Sequence, residues 1–467
     1  MSLNPIITKS ASELIQLMRK KELSSTEVTY AFLERIHQIN PSINAVVQLD
    51  EVNALNAAKD ADKALQNKDD LGPLHGLPIT IKDLIDINGF HCSYGSKSYA
   101  NHRVEREATC ITKLRDAGAI IMGLTNTPEL ATAYESDNLV YGATNNPYDT
   151  SLSAGGSSGG EAAILAAGGS PFGLGSDGGG SIRVPAHYCG IAGHKPTQGL
   201  VSLAGISLPF FGAGCLRPFG SLGPMARFVD DLILTLPILS GVDRYDPNTV
   251  PVTLRDPASV DISRLKIAYY TDDGSVTPSQ DIQDVVKKAA QFFSSRGATV
   301  VEDRPEGIHR AYELHWEPFF LFGDGGQSVK DCLSTLSAEN ISPLRRQFEQ
   351  QAVECQLSLA ELGARFKEIA VLRTNVYQFL NQYDLIICPP CATVAKPHGQ
   401  CLKQIKDFTY TMLYNNTGSP GTVVRCGTSQ HGLPIGVQLV ANLWQDHISL
   451  AAAKALEIEF GGWQIPQ

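Results

Sequence analysis

Two serines and a lysine, spaced across the first 181 residues, carry the chemistry this chain is equipped to perform. Residues 153–183 read SAGGSSGGEAAILAAGGSPFGLGSDGGGSIR, with one serine-centred glycine loop, GGSSGG, at Ser157 and another, GGGSIR, at Ser181, 24 residues on. Glycine lets backbone approach a ligand closely and aims successive N–H groups into one small volume. Acyl transfer needs that geometry for its oxyanion. A serine hydroxyl is a weak nucleophile at its own pKa and requires a base. The candidate is Lys82, 99 residues before Ser181, at the end of GLPITIK, where Leu77 to Ile81 read as a buried strand. A lysine is protonated at neutral pH unless burial disfavours its charge. The apolar strand before Lys82 is suited to supplying that burial.

Further segments follow in a fixed order. They are GSDGGGSIRVPA, GLVSLAGISLP from Gly199, SLGPMAR at 221–227, TGSPGTVVRCG and GLPIGVQLVA. Together with Lys82-Asp83 and the GGSSGG loop, they resemble the amidase signature family over roughly residues 8 to 460. The resemblance implies a Ser–Ser–Lys triad. Ser181 matches the nucleophile, Ser157 the bridging serine with a cis peptide bond, and Lys82 the general base. It also implies an acyl-serine intermediate, with the N–H groups of Gly178, Gly179, Gly180 and Ser181 holding the oxyanion. Asp177 and Arg183 flank the loop as a bracing charge pair, and Ser158 supports Ser157 or touches substrate. The chain departs from the family at Gly178, where many members carry Thr or Ile. That widens the glycine run and puts the rigidity of the oxyanion loop in question.

Other readings of these residues fare worse. Gly156 to Gly160 fits the G-x-S-x-G nucleophile elbow centred on Ser158, but that motif needs a strong strand before it. Here NPYDTSLSAGG reads as a loop, and His398, His431 and His447 lack a diagnostic context as partners. His187 and His194 are spaced wrongly for a metal pair on one helix face and read as core or surface residues. Cys388-Pro-Pro-Cys391 has the spacing of half a zinc site, without the second half. No metal and no cofactor is expected, because the triad supplies base, nucleophile and oxyanion donors.

The elements that must position these groups follow from periodicity and caps. Residues 10–39 read as helical, with capping boxes at Ser10/Glu13 and Ser24/Glu27, and Asn40-Pro41 as the stop. Helices are expected over 51–68, 107–117, 159–167, 278–296, 340–382 and 446–460. Strands are expected over 77–82, 119–124, 265–270, 298–302, 384–388 and 433–440. The alternation predicts an α/β fold, a large mixed β-sheet covered by helices on both faces. The expected organisation is a single amidase domain over 1–467. Its catalytic core pieces lie at 70–230 and 380–460, and an outlying strand–helix–strand lobe at about 245–330.

Of the 467 residues, 43% are apolar, enough for a large core. A net charge of −10, with no long basic block, argues against nucleic-acid binding. No run of about 20 uncharged apolar residues spans a membrane. The first residues lack the apolar stretch of a signal peptide, so a cytoplasmic location is expected, and the ten scattered cysteines are expected as thiols. The expected partner is a small-molecule amide, with a homodimer as the open alternative to a monomer. A different class is also open within the resemblance, the glutaminase-type subunit of a tRNA-dependent amidotransferase, which acts with partner proteins.

Candidate substrate-binding residues are Glu129, Leu130, Ala131 and Thr132, with Phe210, Phe211, Trp316, Phe319 and Phe320 as candidates for an apolar acyl channel or for ordinary core. GVDRYDPNTVPV and LKIAYYTDDGSVTPS resemble the fatty acid amide hydrolase branch, which implies an acyl-chain or aryl amide. Ala131 and Thr132 are smaller or more polar than a wholly lipid-lined pocket would carry.

Overall fold

The computed structural model describes residues 4–67, 71–104, 106–206, 219–334 and 338–466. In chain order the strands are β1 (Val46–Leu49), β2 (Pro78–Lys82), β3 (Ile120–Thr125), β4 (Asp137–Asn138), β5 (Gly142–Ala143), β6 (Asn145–Asn146), β7 (Asp149–Ser153) and β8 (Phe172–Asp177). They continue with β9 (Ala192–Lys195), β10 (Ser221–Ala226), β11 (Lys266–Tyr269), β12 (Thr299–Glu302), β13 (Leu385–Cys388), β14 (Gly421–Thr428) and β15 (Pro434–Ala441). Eleven of them form one sheet in the order β1-β3-β2-β8-β10-β9-β14-β15-β13-β11-β12. The sheet is mixed. β2 runs parallel to β3 and β8, whereas β8 to β13 pair antiparallel through β10, β9, β14 and β15. Helices cover both faces, and β2, β3, β8, β10, β13 and β15 are buried along their whole length. Strands buried on both faces read as continuous apolar runs rather than alternating ones, as PITIK, IIMGLT and LIIC do.

The strand–helix–strand unit read as an outlying lobe lies at one edge of this sheet and shares its hydrogen bonding. β11 pairs parallel with β13 on one side and β12 on the other. The helix between them, Gln280–Ser295, buries Ile282, Val285, Val286, Ala289, Phe292 and Phe293 on one face.

Both expected capping boxes are formed, at Ser10/Glu13 and Ser24/Glu27. Asn40-Pro41 does not stop the second helix, which runs Ser25–Ile43 with Pro41 inside it. So close to the end, the missing proline N–H removes only one bond. Asn44 closes the turn in the left-handed region (φ 49°), and its N–H reaches Asn40 C=O. NPYDTSLSAGG is likewise not all loop, because β6 and β7 pair in a small ribbon there. β7 ends four residues before Ser157 and is largely exposed, so it is not the buried strand an elbow needs.

Candidate active site

The site forms where the parallel neighbours β2 and β8 end side by side. Thr80 and Ile81 stand opposite Gly173 and Leu174, so Lys82 and Ser176, just beyond, fall together. The Lys82 Nζ lies 2.6 Å from Ser157 Oγ, 2.9 Å from Ser176 Oγ and 3.1 Å from Ser158 Oγ. Lys82 is fully buried, and no carboxylate bonds its amine among the described residues. Burial drives its pKa well below the ordinary lysine value, against the opposing fields of Asp177 and Glu161. Glu161 is buried nearby, with its oxygens accepting from Thr80 Oγ1 (2.6 Å) and Thr125 Oγ1 (2.8 Å). Desolvation lifts its carboxyl to about 7, although both hydroxyls and Lys82 oppose the rise.

Ser157 follows a cis peptide at Gly156. Gly156 is required by close approach, since a Cβ there would stand 2.5 Å from Glu135 N and 2.8 Å from Ala133 O. Ser136 fastens the loop from behind. Its Oγ lies 3.2 Å from both Gly155 O and Ser157 O and accepts from Gly159 N–H. Ser158 stands at the N-cap position of the helix Gly159–Ala166, with its side chain turned to Lys82 and Ser176. Its N–H donates to Ser181 C=O at 3.1 Å, so the two serine loops touch.

Ser181 sits on a tight loop between β8 and the helix Arg183–Cys189. Asp177 organises that loop. Its Oδ1 accepts from Gly180 N–H (2.7 Å) and its Oδ2 from Ile182 N–H (3.1 Å). Arg183 closes the ring with Nε on Oδ2 (3.0 Å) and Nη2 on Oδ1 (2.9 Å). Burial would raise the Asp177 carboxyl, but Arg183 and its other donors hold it well below the usual carboxylate range. Arg183 also reaches Gln438 Oε1 at 2.7 Å and Asn415 Oδ1, tying the loop to β15 and to the helix Thr409–Thr417. The expected charge pair is thus a bidentate, fully buried one.

Gly180 needs a correction as an oxyanion donor, because its N–H is already spent on Asp177. Its own φ of +132° and a Cβ position only 2.2 Å from Thr411 Oγ1 leave room for glycine alone. The N–H groups of Gly178, Gly179 and Ser181 have no acceptor among the described residues. The carbonyls of the same loop are held. His315 Nε2 lies 2.8 Å from Gly178 O, and Tyr134 OH (2.7 Å) and Thr411 Oγ1 (2.8 Å) both donate to Gly179 O. Ser181 is only half-buried, and its hydroxyl has no partner among the described residues.

Of the substrate-binding candidates, Glu129, Leu130 and Ala131 form a short turn with Leu130 (φ 52°) and Ala131 (φ 57°) in the left-handed region. Glu129 is buried and faces protein, accepting from Ser96 Oγ (2.9 Å) and Ser342 N–H (2.8 Å). Thr132 accepts from Arg345 Nη1 at 3.1 Å. Both therefore hold the turn. Trp316 stacks on Phe320 at 4.5 Å and donates to Gln351 Oε1 at 3.3 Å. With Tyr134, Phe320 and Phe408 it forms a buried aromatic cluster beside Gly179, whereas Phe319 packs on Phe219 and His315. Phe210 and Phe211 lie outside the described residues. His187 and His194 are buried core residues, held by Thr393 O and Gly436 N–H and by Thr422 and Asp446 respectively.

Sequence reading missed Ser176, Glu161, Tyr134, His315, Thr411, Asn415 and Gln438. Ser176 was within reach, since a serine beside the oxyanion glycines on a strand next to β2 has to meet Lys82. The others come from distant segments with no local signature.

Comparison with known proteins gives the family. A family profile described as Amidase matches residues 27–450. The chain is 33% identical to fatty-acid amide hydrolase 2-B of Danio rerio, over 99% of this chain and 91% of that one. It is 32% identical to a glutamyl-tRNA(Gln) amidotransferase component of Bacillus licheniformis, over 96% of each. Among solved structures, a bacterial aryl acylamidase of the amidase signature family superimposes with a TM-score of 0.86 at 26% identity, covering 97% of both chains.

Proposed function

This chain belongs to the amidase signature family of hydrolases acting on amide C–N bonds, and on that premise we propose that it cleaves a carboxylic acid amide through an acyl-Ser181 intermediate. The observation that carries the reading is the buried Lys82 amine in contact with three serine hydroxyls and, among the described residues, no carboxylate. A neutral amine has two N–H bonds and one lone pair. Ser158 spends its own proton on Ser176 C=O (3.2 Å), so it only accepts from Lys82. With the second N–H on Ser176, the lone pair is left for the closest hydroxyl, Ser157. That is the direction a general base requires.

The chemistry follows. As Lys82 draws the Ser157 proton, Ser157 takes that of Ser181, and Ser181 Oγ bonds to the amide carbon. The carbonyl oxygen becomes an oxyanion facing the N–H groups of Gly179 and Ser181, with Gly178 beside them. The C–N bond breaks, and the amine leaves with the proton returned through Ser157. Water then repeats the relay on the acyl-serine, releasing the acid and restoring the hydroxyl.

The aromatic cluster of Tyr134, Trp316, Phe320 and Phe408 beside the loop, together with the fatty-acid amide hydrolase and aryl acylamidase likenesses, supports an acyl or aryl amide as substrate class. A second reading, the glutaminase-type subunit, is favoured by the amidotransferase likeness alone. The test is amine release from amides running from acetamide through long-chain and aryl amides to glutamine, with Ser181→Ala as control. Turnover on acyl or aryl amides that vanishes in the control is expected. Inertness alone, followed by glutamine hydrolysis once the other components of an amidotransferase are added, would replace it with the second reading.

A further inference from the structure

Residues 178–180 are three successive glycines, with no side chain of their own to fix the peptides before Ser181, and a side chain from a distant segment reaches the first of their carbonyls. We infer that His315 is a positioning residue for the oxyanion loop, acting as a neutral imidazole whose Nε2–H holds the Gly178 carbonyl and so aims the Gly179 N–H at the oxyanion. This rests on the reading of Ser181 as nucleophile.

Gly178 C=O and Gly179 N–H belong to one planar peptide and point in opposite directions. Fixing the oxygen on His315, at 2.8 Å, therefore fixes the direction of the N–H. The carbonyl only accepts, so Nε2 must carry the proton. A neutral ring has a single N–H, which makes Nδ1 an acceptor. Asn416 Oδ1 is placed 2.6 Å from Nδ1, and the buried Asn416 Nδ2 has no hydrogen-bond partner among the described residues. The two ends of an amide are interchangeable in such a placement; with the amide turned, its NH2 donates to Nδ1 and selects the tautomer, and the oxygen takes the unpartnered position. Burial keeps the ring uncharged, lowering His315 to about 4, with the hydrogen bonds to Asn416 and Gly178 opposing. The charged groups facing it, Arg183 from the helix after Ser181 and Asp177 from the end of β8, are already paired to each other.

The backbone prepares this placement. Tyr312–Phe320 is a π-helical stretch, a rare widening often found at functional sites. Its aromatic neighbours, Phe219, Phe319 and Phe320, wedge the ring in place. Tyr134 and Thr411 clamp the next carbonyl in the same way, so two successive peptides of the glycine run are held from outside.

The test uses a fluorophosphonate, which needs no knowledge of the amide. Ser181 Oγ bonds to phosphorus, the P–F bond breaks, fluoride leaves, and the serine proton passes through Ser157 to Lys82. The phosphoryl oxygen takes the oxyanion position. His315→Phe and His315→Asn are expected to slow labelling by about 100-fold, the scale of losing one oxyanion donor. His315→Gln, whose terminal NH2 stands where Nε2–H was, is expected to stay within about threefold of wild type. Full-rate labelling of His315→Phe, or His315→Gln as slow as His315→Phe, would overturn the inference. Nitrogen-15 NMR of the wild-type imidazole, assigned by the signal lost in His315→Gln, is expected to show the Nε2–H tautomer unchanged from about pH 5.5 to 9, above the lowered value. An Nδ1–H tautomer, or a titration inside that range, would overturn it whether or not the variants fold. Wild type that folds but does not label at Ser181, with the tautomer as stated, would instead sink the nucleophile reading and leave the hold on the loop intact.

Discussion

At the scale of single residues, the site depends on a lysine kept from its charge. Rates should rise with pH as Lys82 loses its proton, since only the neutral amine accepts from Ser157. The check is a pH profile of kcat/KM on an amide whose chemistry is rate-limiting, and Lys82→Met should remove the rising limb with the activity. Stability should carry the same signature. Lys82 has its pKa lowered in the folded state, so between that value and the ordinary lysine value the unfolded chain binds the extra proton. Stability then rises with pH across that window. Urea unfolding of wild type and Lys82→Met at about pH 6, 7.5 and 9 should show the difference moving in favour of wild type as pH rises. Asp177 works in the opposite sense, since its charge is wanted. Asp177→Asn leaves the Arg183 guanidinium buried without a counter-charge and should cost about 3–5 kcal/mol in the same measurement.

At the scale of elements, the loop between β8 and the following helix is a clamp assembled from several directions. Gly180→Ala would force a methyl into Thr411 at a φ reserved for glycine, and both rate and stability should fall. A drop in kcat of about 100-fold, with a stability loss of about 1–3 kcal/mol in urea unfolding, is the expected pair of results. Much of this element was legible in advance. The glycine–serine spacing and the apolar run before Lys82 announced a tight serine loop and a buried strand end, because both are local patterns. The capping boxes did the same for the first two helices. What stayed hidden was long-range. Nothing near His315 or Thr411 in sequence says that it will meet a glycine carbonyl. Pro41 misled for a related reason, since a proline in a last turn costs too little to stop a helix that Asn44 can close.

At the scale of the molecule, one sheet of eleven strands unites segments from nearly the whole chain. β2 and β8 bring Lys82 and the Ser181 loop together, whereas β15 and the helix Thr409–Thr417 deliver the struts that hold that loop. A fragment ending near residue 245 should therefore not label with a fluorophosphonate, and labelling should return when the remainder is co-expressed. The partners of Arg183 lie 232 and 255 residues further along the chain, at Asn415 and Gln438. On the ribosome, then, Lys82, Ser157 and Ser181 are all made more than 200 residues before the struts on Arg183. For that whole interval the nascent chain holds these groups without an aimed loop, and the loop is braced only when β15 arrives.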